Sequence, residues 1–302
     1  MKFQGVLFFP VTPFAPDGSL DEERLAQHIE AGVSAGAGGV FVACGTGEFH
    51  ALTPDELERA TRIAVETTAG RVPVLAAAGG PTPVARDHAV RVARAGADGI
   101  LLLPPYLVTA PQQGLVRYVE EVTAATDLPV IFYQRGTARL TESTAAEIAA
   151  LPKVVGLKDG LGDIERMHRV VRAVRALPNG RDFRFFNGLP TAEMTAPAYQ
   201  GIGVELYSSA VFAFAPEIAL AFHRALAEDD EARVSTLLDE FYAPLVELRD
   251  EVPGYAVALV KAGVTLRGLD VGGVRAPLVD PTPEHVARLS KLIDHGLEVT
   301  RA

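Results

Sequence analysis

Short apolar runs recur along the chain at Val6–Phe9, Val40–Ala43, Val72–Ala76, Gly99–Leu103, Val130–Tyr133, Val154–Lys158, Arg184–Phe186 and Val204–Tyr207. Each is nearly continuously apolar, or β-branched and aromatic, as strands covered on both faces are. Between them the apolar positions take helical spacing, at Asp21–Ala35, Pro54–Ala69, Pro83–Ala95, Pro111–Ala125, Thr141–Ala150 and Asp163–Val174. Thr53-Pro54-Asp55-Glu56 sets a capping hydroxyl before a first-turn proline and two acids, which suits the positive end of a helix dipole. Thr82-Pro83 and Ala110-Pro111 predict first-turn prolines at two later helix starts.

Strands alternating with helices define parallel βαβ units. Eight strands, with no Gly-x-Gly-x-x-Gly after the first, favour a (β/α)8 TIM barrel over an open doubly wound sheet. After Pro216 the strand signal stops, and Pro216–Ala227, Asp230–Leu248, Gly254–Leu266 and Thr282–Glu298 read as helices. The predicted fold class is therefore α/β, with a (β/α)8 barrel over 1–227 and a C-terminal helical extension over 228–302.

Composition narrows the function. A formal net charge of −10 without a basic stripe argues against nucleic acid as a partner, because phosphate neutralisation needs clustered cations. An anionic substrate must then be held by local groups against the overall field. No apolar stretch reaches the ~18 to 20 residues that span a bilayer, so no membrane partner is expected. The start MKFQGVLFFPVTPF lacks a signal-peptide pattern. A single cysteine, Cys44, excludes an internal disulfide framework and fits a reducing, cytoplasmic setting. The histidines show no ligand spacing, and no metal site is expected.

In such barrels the chemistry sits at the C-terminal ends of the strands. Lys158 ends one apolar run and Tyr133 ends the run before it. A lysine inside a barrel is driven toward the neutral amine by desolvation. That amine can attack a ketone and form an imine, an electron sink for the adjacent carbons. A neighbouring phenol can shuttle the protons. Each residue alone also fits plain packing or a solvated strand end.

After the second strand, Cys44-Gly45-Thr46-Gly47-Glu48 brings backbone N–H groups and the Thr46 hydroxyl to where a carboxylate can bind. Glu48 is expected to turn away and bond loop backbone, and Cys44 to be a small core residue. Ser208 and Ser209 follow the last strand with hydroxyl donors. Arg135, just past Tyr133, offers a guanidinium for a second carboxylate.

Taken together, Val11-Thr12-Pro13-Phe14, Gly45-Thr46-Gly47-Glu48, Pro104-Pro105-Tyr106, Tyr133 and Gly156-Leu157-Lys158-Asp159 resemble the dihydrodipicolinate synthase and N-acetylneuraminate lyase superfamily over essentially the whole chain. The resemblance implies that Lys158 is the Schiff-base lysine and Tyr133 the proton-transfer tyrosine. It also implies that Gly45 and Thr46 contact the keto-acid carboxylate, that no external cofactor is used, and that the protein is a homo-oligomer, tetramer or dimer. The longer stretches from Gly156 to Glu165, Gly188 to Glu193 and Tyr207 to Phe212 look most like the branch that removes water and carbon dioxide from a keto-deoxy sugar diacid.

The synthases place two tyrosines where this chain has Tyr106-Leu107, and an arginine in a loop that here reads Tyr133-Gln134-Arg135-Gly136. The dehydratases usually carry asparagine where Gln134 stands and glycine where Cys44 stands. The rival enzymes are an aldolase on a related 2-keto-3-deoxy sugar acid, which would release pyruvate, and a synthase-like condensing enzyme. The non-enzyme rival is a keto-acid-binding regulator, which would bind without turnover.

Overall fold

Apolar runs too short for helices become strands β1 (Leu7–Phe8), β2 (Gly39–Val42), β3 (Val74–Ala78), β4 (Gly99–Leu102), β5 (Val130–Gln134), β6 (Val154–Asp159), β7 (Arg184–Asn187) and β8 (Leu206–Ser209). In the computed structural model they form a closed parallel barrel in sequence order. The structure describes residue 3 and residues 5–105 and 108–301. Tyr106 and Leu107, where the tyrosine pair of the synthases is expected, lie outside the described residues.

Helices α1 (Glu22–Ser34), α2 (Pro54–Thr68), α3 (Thr82–Arg94), α4 (Gln112–Ala124), α5 (Glu142–Ala149), α6 (Ile164–Arg175) and α7 (Ala196–Gly201) connect the strands. The C-terminal region is α8 (Pro216–Ala227), α9 (Glu231–Leu237), α10 (Ala243–Asp250), α11 (Tyr255–Leu266) and α12 (Pro283–Arg301). The chain divides into two compact units, Met1–Pro73 with Ser209–Ala302, and Val74–Ser208. No described helix is long and apolar enough to cross a membrane.

The start of α2 is the expected capping box: the Thr53 side chain accepts from Glu56 N–H while the Glu56 carboxylate returns to the Thr53 N–H. Of the two later prolines, Pro83 stands in the first turn of α3 as expected, whereas Pro111 is the residue just before α4; neither helix has a side-chain cap hydrogen bond.

Two differences from the sequence-based expectation have clear causes. Helix α7, six residues long, is too short to show a period. The single helix expected at Asp230–Leu248 is α9 and α10 joined by a π turn at Leu238–Tyr242. Pro244 at the start of α10 has no N–H to return to the preceding turn, and a wider turn accommodates it.

Candidate active site

The unit Val74–Ser208 contains β5, β6 and β7, whose register decides what meets what. Val130 pairs with Val154, but Ile131 pairs with Gly156, so β6 carries an extra residue at Val155. Beyond this bulge Tyr133 lies opposite Lys158 and Gln134 opposite Asp159. Without it Tyr133 would oppose Leu157, on the wrong parity for the lysine. Gly156 makes the shift possible: a Cβ there would come within 2.9 Å of the Arg184 carbonyl oxygen and of the Phe186 ring.

Lys158 and Tyr133 are 6% and 4% exposed. The Lys158 Nζ sits 4.6 Å from the centroid of the Tyr133 ring, and the Tyr133 hydroxyl donates to the Gly188 carbonyl at 2.6 Å. Two glycines keep the space around them open. A Cβ on Gly188 would lie 2.6 Å from Lys158 Cε, and one on Gly160 would lie 2.7 Å from the Tyr133 hydroxyl. The sequence shows both glycines, but only the packing shows what they make room for.

Side chains alternate along a strand, so the residues after Lys158 and Tyr133 face the helices. Asp159 is buried and collects donors there. Gln134 Nε2 reaches Oδ1 at 2.7 Å, the N–H of Gly162 reaches Oδ2 at 3.3 Å, and the Tyr199 hydroxyl of α7 donates to Oδ2. The Tyr199 hydroxyl is raised far above its usual pKa, first by burial and then by this bond to Asp159.

Gln134 also accepts the Leu140 N–H at 3.3 Å and approaches Met167 Sδ of α6 at 3.9 Å. Its amide is thus engaged between the strands and the helices. Asn187, opposite Asp159 on β7, donates to the Ala192 carbonyl at 3.0 Å and to Thr195 Oγ1 at 2.8 Å. The sequence does not single out this polar row behind the lysine, because strand-end Asp159 and Asn187 look like ordinary loop residues.

Ser208 shares the parity of the residues facing Lys158, being half-buried with its hydroxyl 3.5 Å from the Asn187 carbonyl. Ser209 points to the other side of β8. It is fully buried, and its Oγ accepts the Phe212 N–H at 3.1 Å, opening the short turn Val211–Ala213. Arg135 is exposed in the turn after β5, where its carbonyl accepts from Ala138 at 3.1 Å.

Gly45 and Thr46 belong to the unit Met1–Pro73 with Ser209–Ala302. In the turn after β2, Gly45 is exposed and Thr46 half-buried. Ala43 and Glu48 bracket this turn in the left-handed region, at φ 52 and φ 57. Gly47 is needed for the close approach, since a Cβ would meet Ala43 Cα at 3.0 Å and the Pro10 carbonyl at 3.1 Å. Thr12 donates to the Gly47 carbonyl at 2.6 Å. Cys44 is buried, as a core residue.

Glu48 turns away and bonds loop backbone, as expected, though in a distant loop: the Arg275 N–H reaches Oε2 at 2.8 Å, and Lys261 of α11 donates to Oε1 at 2.9 Å. Among the described residues no group of three or more His, Cys, Asp or Glu is placed to hold a metal.

A buried lysine beside a tyrosine, at the C-terminal ends of adjacent barrel strands, suits imine chemistry on a carbonyl compound. The chain belongs to the Dihydrodipicolinate synthetase family, whose profile matches residues 2–296. It is 60% identical over 292 residues to the probable 5-dehydro-4-deoxyglucarate dehydratase 1 of Streptomyces coelicolor, spanning 97% of this chain and 92% of that protein. It is 46% identical to the probable 5-dehydro-4-deoxyglucarate dehydratase of Azotobacter vinelandii, spanning 96% of this chain and 94% of that one. Among solved structures, the dihydrodipicolinate synthase of Oceanobacillus iheyensis superposes with a TM-score of 0.89 at 26% identity, covering 97% of this chain and 96% of that one.

Proposed function

We propose that the protein is a decarboxylating hydro-lyase that converts 5-dehydro-4-deoxyglucarate to 2,5-dioxopentanoate, water and carbon dioxide. The observation that carries the chemistry is the buried Lys158 amine over the Tyr133 ring. The full-length likeness to dehydratases of that name supports the choice of substrate.

Lys158 attacks the C5 ketone, and loss of water from the carbinolamine gives the imine. Its positive nitrogen acidifies C4, and a proton leaves to form the enamine. The enamine pair then expels the C3 hydroxyl, leaving a C3–C4 double bond conjugated with the imine. Departure of C1 as carbon dioxide sends its bonding pair into this extended sink and leaves an enol at C2. Protonation on carbon makes the C2 aldehyde, and hydrolysis of the imine frees Lys158. The protein lysine supplies the electron sink, so the reaction proceeds without an external cofactor.

Tyr133 carries protons during imine formation and hydrolysis. With its own proton directed at the Gly188 carbonyl, it turns an oxygen lone pair toward donors on the reacting carbon. Ser208 is assigned to the leaving hydroxyl, since it shares the parity of the residues facing Lys158. Gly45 and Thr46 are assigned to the carboxylate beside the ketone, and exposed Arg135 to the distal one. Ser209, also assigned to the substrate on the sequence pattern, has its hydroxyl engaged at the start of the turn at Phe212. A cytoplasmic location suits one buried cysteine, and a homodimer or homotetramer follows the family.

The test is to supply 5-dehydro-4-deoxyglucarate to the purified protein without added cofactor or metal. Carbon dioxide and 2,5-dioxopentanoate are the expected products. Pyruvate in their place would make the protein an aldolase.

A further inference from the structure

The imine chemistry leaves one buried charge pair without a part. Glu48 and Lys261 are 0% and 2% exposed and 213 residues apart in sequence. Lys261 also donates to the Gly273 carbonyl at 2.6 Å and lies 4.2 Å from the centroid of the Phe14 ring. The Arg275 guanidinium lies 3.9 Å from the same ring and is joined to Glu56 of α2. Each of these residues is in the unit Met1–Pro73 with Ser209–Ala302.

Burying two opposite charges adds little net stability over a well-packed apolar pair, because desolvation offsets their attraction. What such a pair does well is fix one geometry. Glu48 is two residues from Thr46 and holds a left-handed backbone at φ 57, a conformation a glutamate keeps only when its surroundings impose it. Both carboxylate oxygens are held, Oε1 by Lys261 and Oε2 by the Arg275 N–H. There is an electrostatic reason as well. A turn that receives a substrate carboxylate carries its own carboxylate, which repels the substrate unless a cation offsets it.

We propose that Lys261 is a positioning residue for substrate binding. Through Glu48 it holds the Gly45–Thr46 turn in its anion-receiving shape and cancels the charge next to it. The proposal rests on the assignment of Gly45 and Thr46 to the substrate carboxylate. It gives the C-terminal helices a direct part in recognition of the anion.

The experiment compares Lys261→Met, Lys261→Gln, Lys261→Arg and Thr46→Val in steady-state kinetics on 5-dehydro-4-deoxyglucarate. Runs are made well below each variant's unfolding temperature, and active sites are counted by borohydride trapping. Lys261→Met is expected to raise KM about tenfold or more, the scale of a misplaced binding group. Its kcat per trapped site should stay within about twofold of wild type, the pattern of lost uniform binding. Lys261→Arg should recover most of the affinity. Lys261→Gln, a milder change, should show the same split if Lys261→Met does not fold.

A wild-type KM in the folded Met or Gln variant overturns the proposal, whatever happens to stability. If Thr46→Val raises KM and the lysine variants do not, only the positioning role fails. If Thr46→Val also leaves KM unchanged, the carboxylate assignment fails and takes the proposal with it.

Discussion

The Lys158 side-chain nitrogen lies 4.6 Å from the centroid of the Tyr133 ring, and the tyrosine hydroxyl is tied to the Gly188 carbonyl at 2.6 Å. The two side chains come from neighbouring strands brought into step by the bulge at Val155. Lys158→Ala removes the only proposed imine nitrogen, so turnover and borohydride trapping should both vanish. Trapping that survived would place the imine on another lysine.

Tyr133→Phe keeps the ring and removes the proton carrier. The rate should fall roughly 10² to 10⁴-fold, the usual worth of general acid–base help, while trapping persists at a slower rate. The variant also leaves the Gly188 carbonyl without its donor, for a stability loss of about 1 kcal/mol. An unchanged rate would move proton transfer to another group.

Gly188→Ala tests whether open space matters as much as the reactive groups. Its Cβ would lie 2.6 Å from Lys158 Cε and 2.8 Å from Tyr133 Cε2, so the lysine must swing aside. Turnover should drop about 10²-fold, as displacements of this size do, alongside a stability loss of about 1–3 kcal/mol from overpacking. Gly201→Ala is the control, since no atom lies within 4 Å of its added Cβ. Its activity should match wild type.

Gln134 ends β5 one residue beyond Tyr133, a strand-end position of the kind that supplies substrate contacts in such barrels. The structure instead engages it with Asp159 and the Leu140 N–H. Gln134→Leu should therefore cost about 1–3 kcal/mol in urea unfolding, the penalty for stranding buried polar partners. A raised KM at unchanged stability would show a substrate contact instead.

His28 of α1 is 3% exposed and packs edge-on to Phe8 with ring centroids 5.2 Å apart. Burial lowers its pKa from the usual 6.5 to about 4. Below pH 6.5 the unfolded chain takes up a proton that the folded chain refuses. Stability should thus be full above pH 6.5 and be lost as pH falls toward 4, by about 3 kcal/mol in all. Glu56, held at about 2 by Arg275 and by Thr53, contributes only at more acid pH. In His28→Leu, urea midpoints measured from pH 7 to pH 4 should lose the His28 share of this slope and keep that of His88 and His223, which burial also lowers. A slope equal to wild type would assign it to other groups.

The sequence by itself determined the barrel, because continuous apolar runs alternating with amphipathic ones allow few other packings. It also put Lys158 and Tyr133 at the ends of neighbouring strands, where such barrels carry their sites. The local signals carried no trace of three other features. The bulge that sets Tyr133 against Lys158 depends on hydrogen bonding between strands and on Gly156 lying under Phe186. The helix-facing row of Gln134, Asp159 and Asn187 depends on which face each strand turns to α6 and α7. The Glu48–Lys261 pair joins residues 213 apart. Periodicity records how a residue sits on its own element. Which distant side chain shares its burial is decided only when the chain is folded.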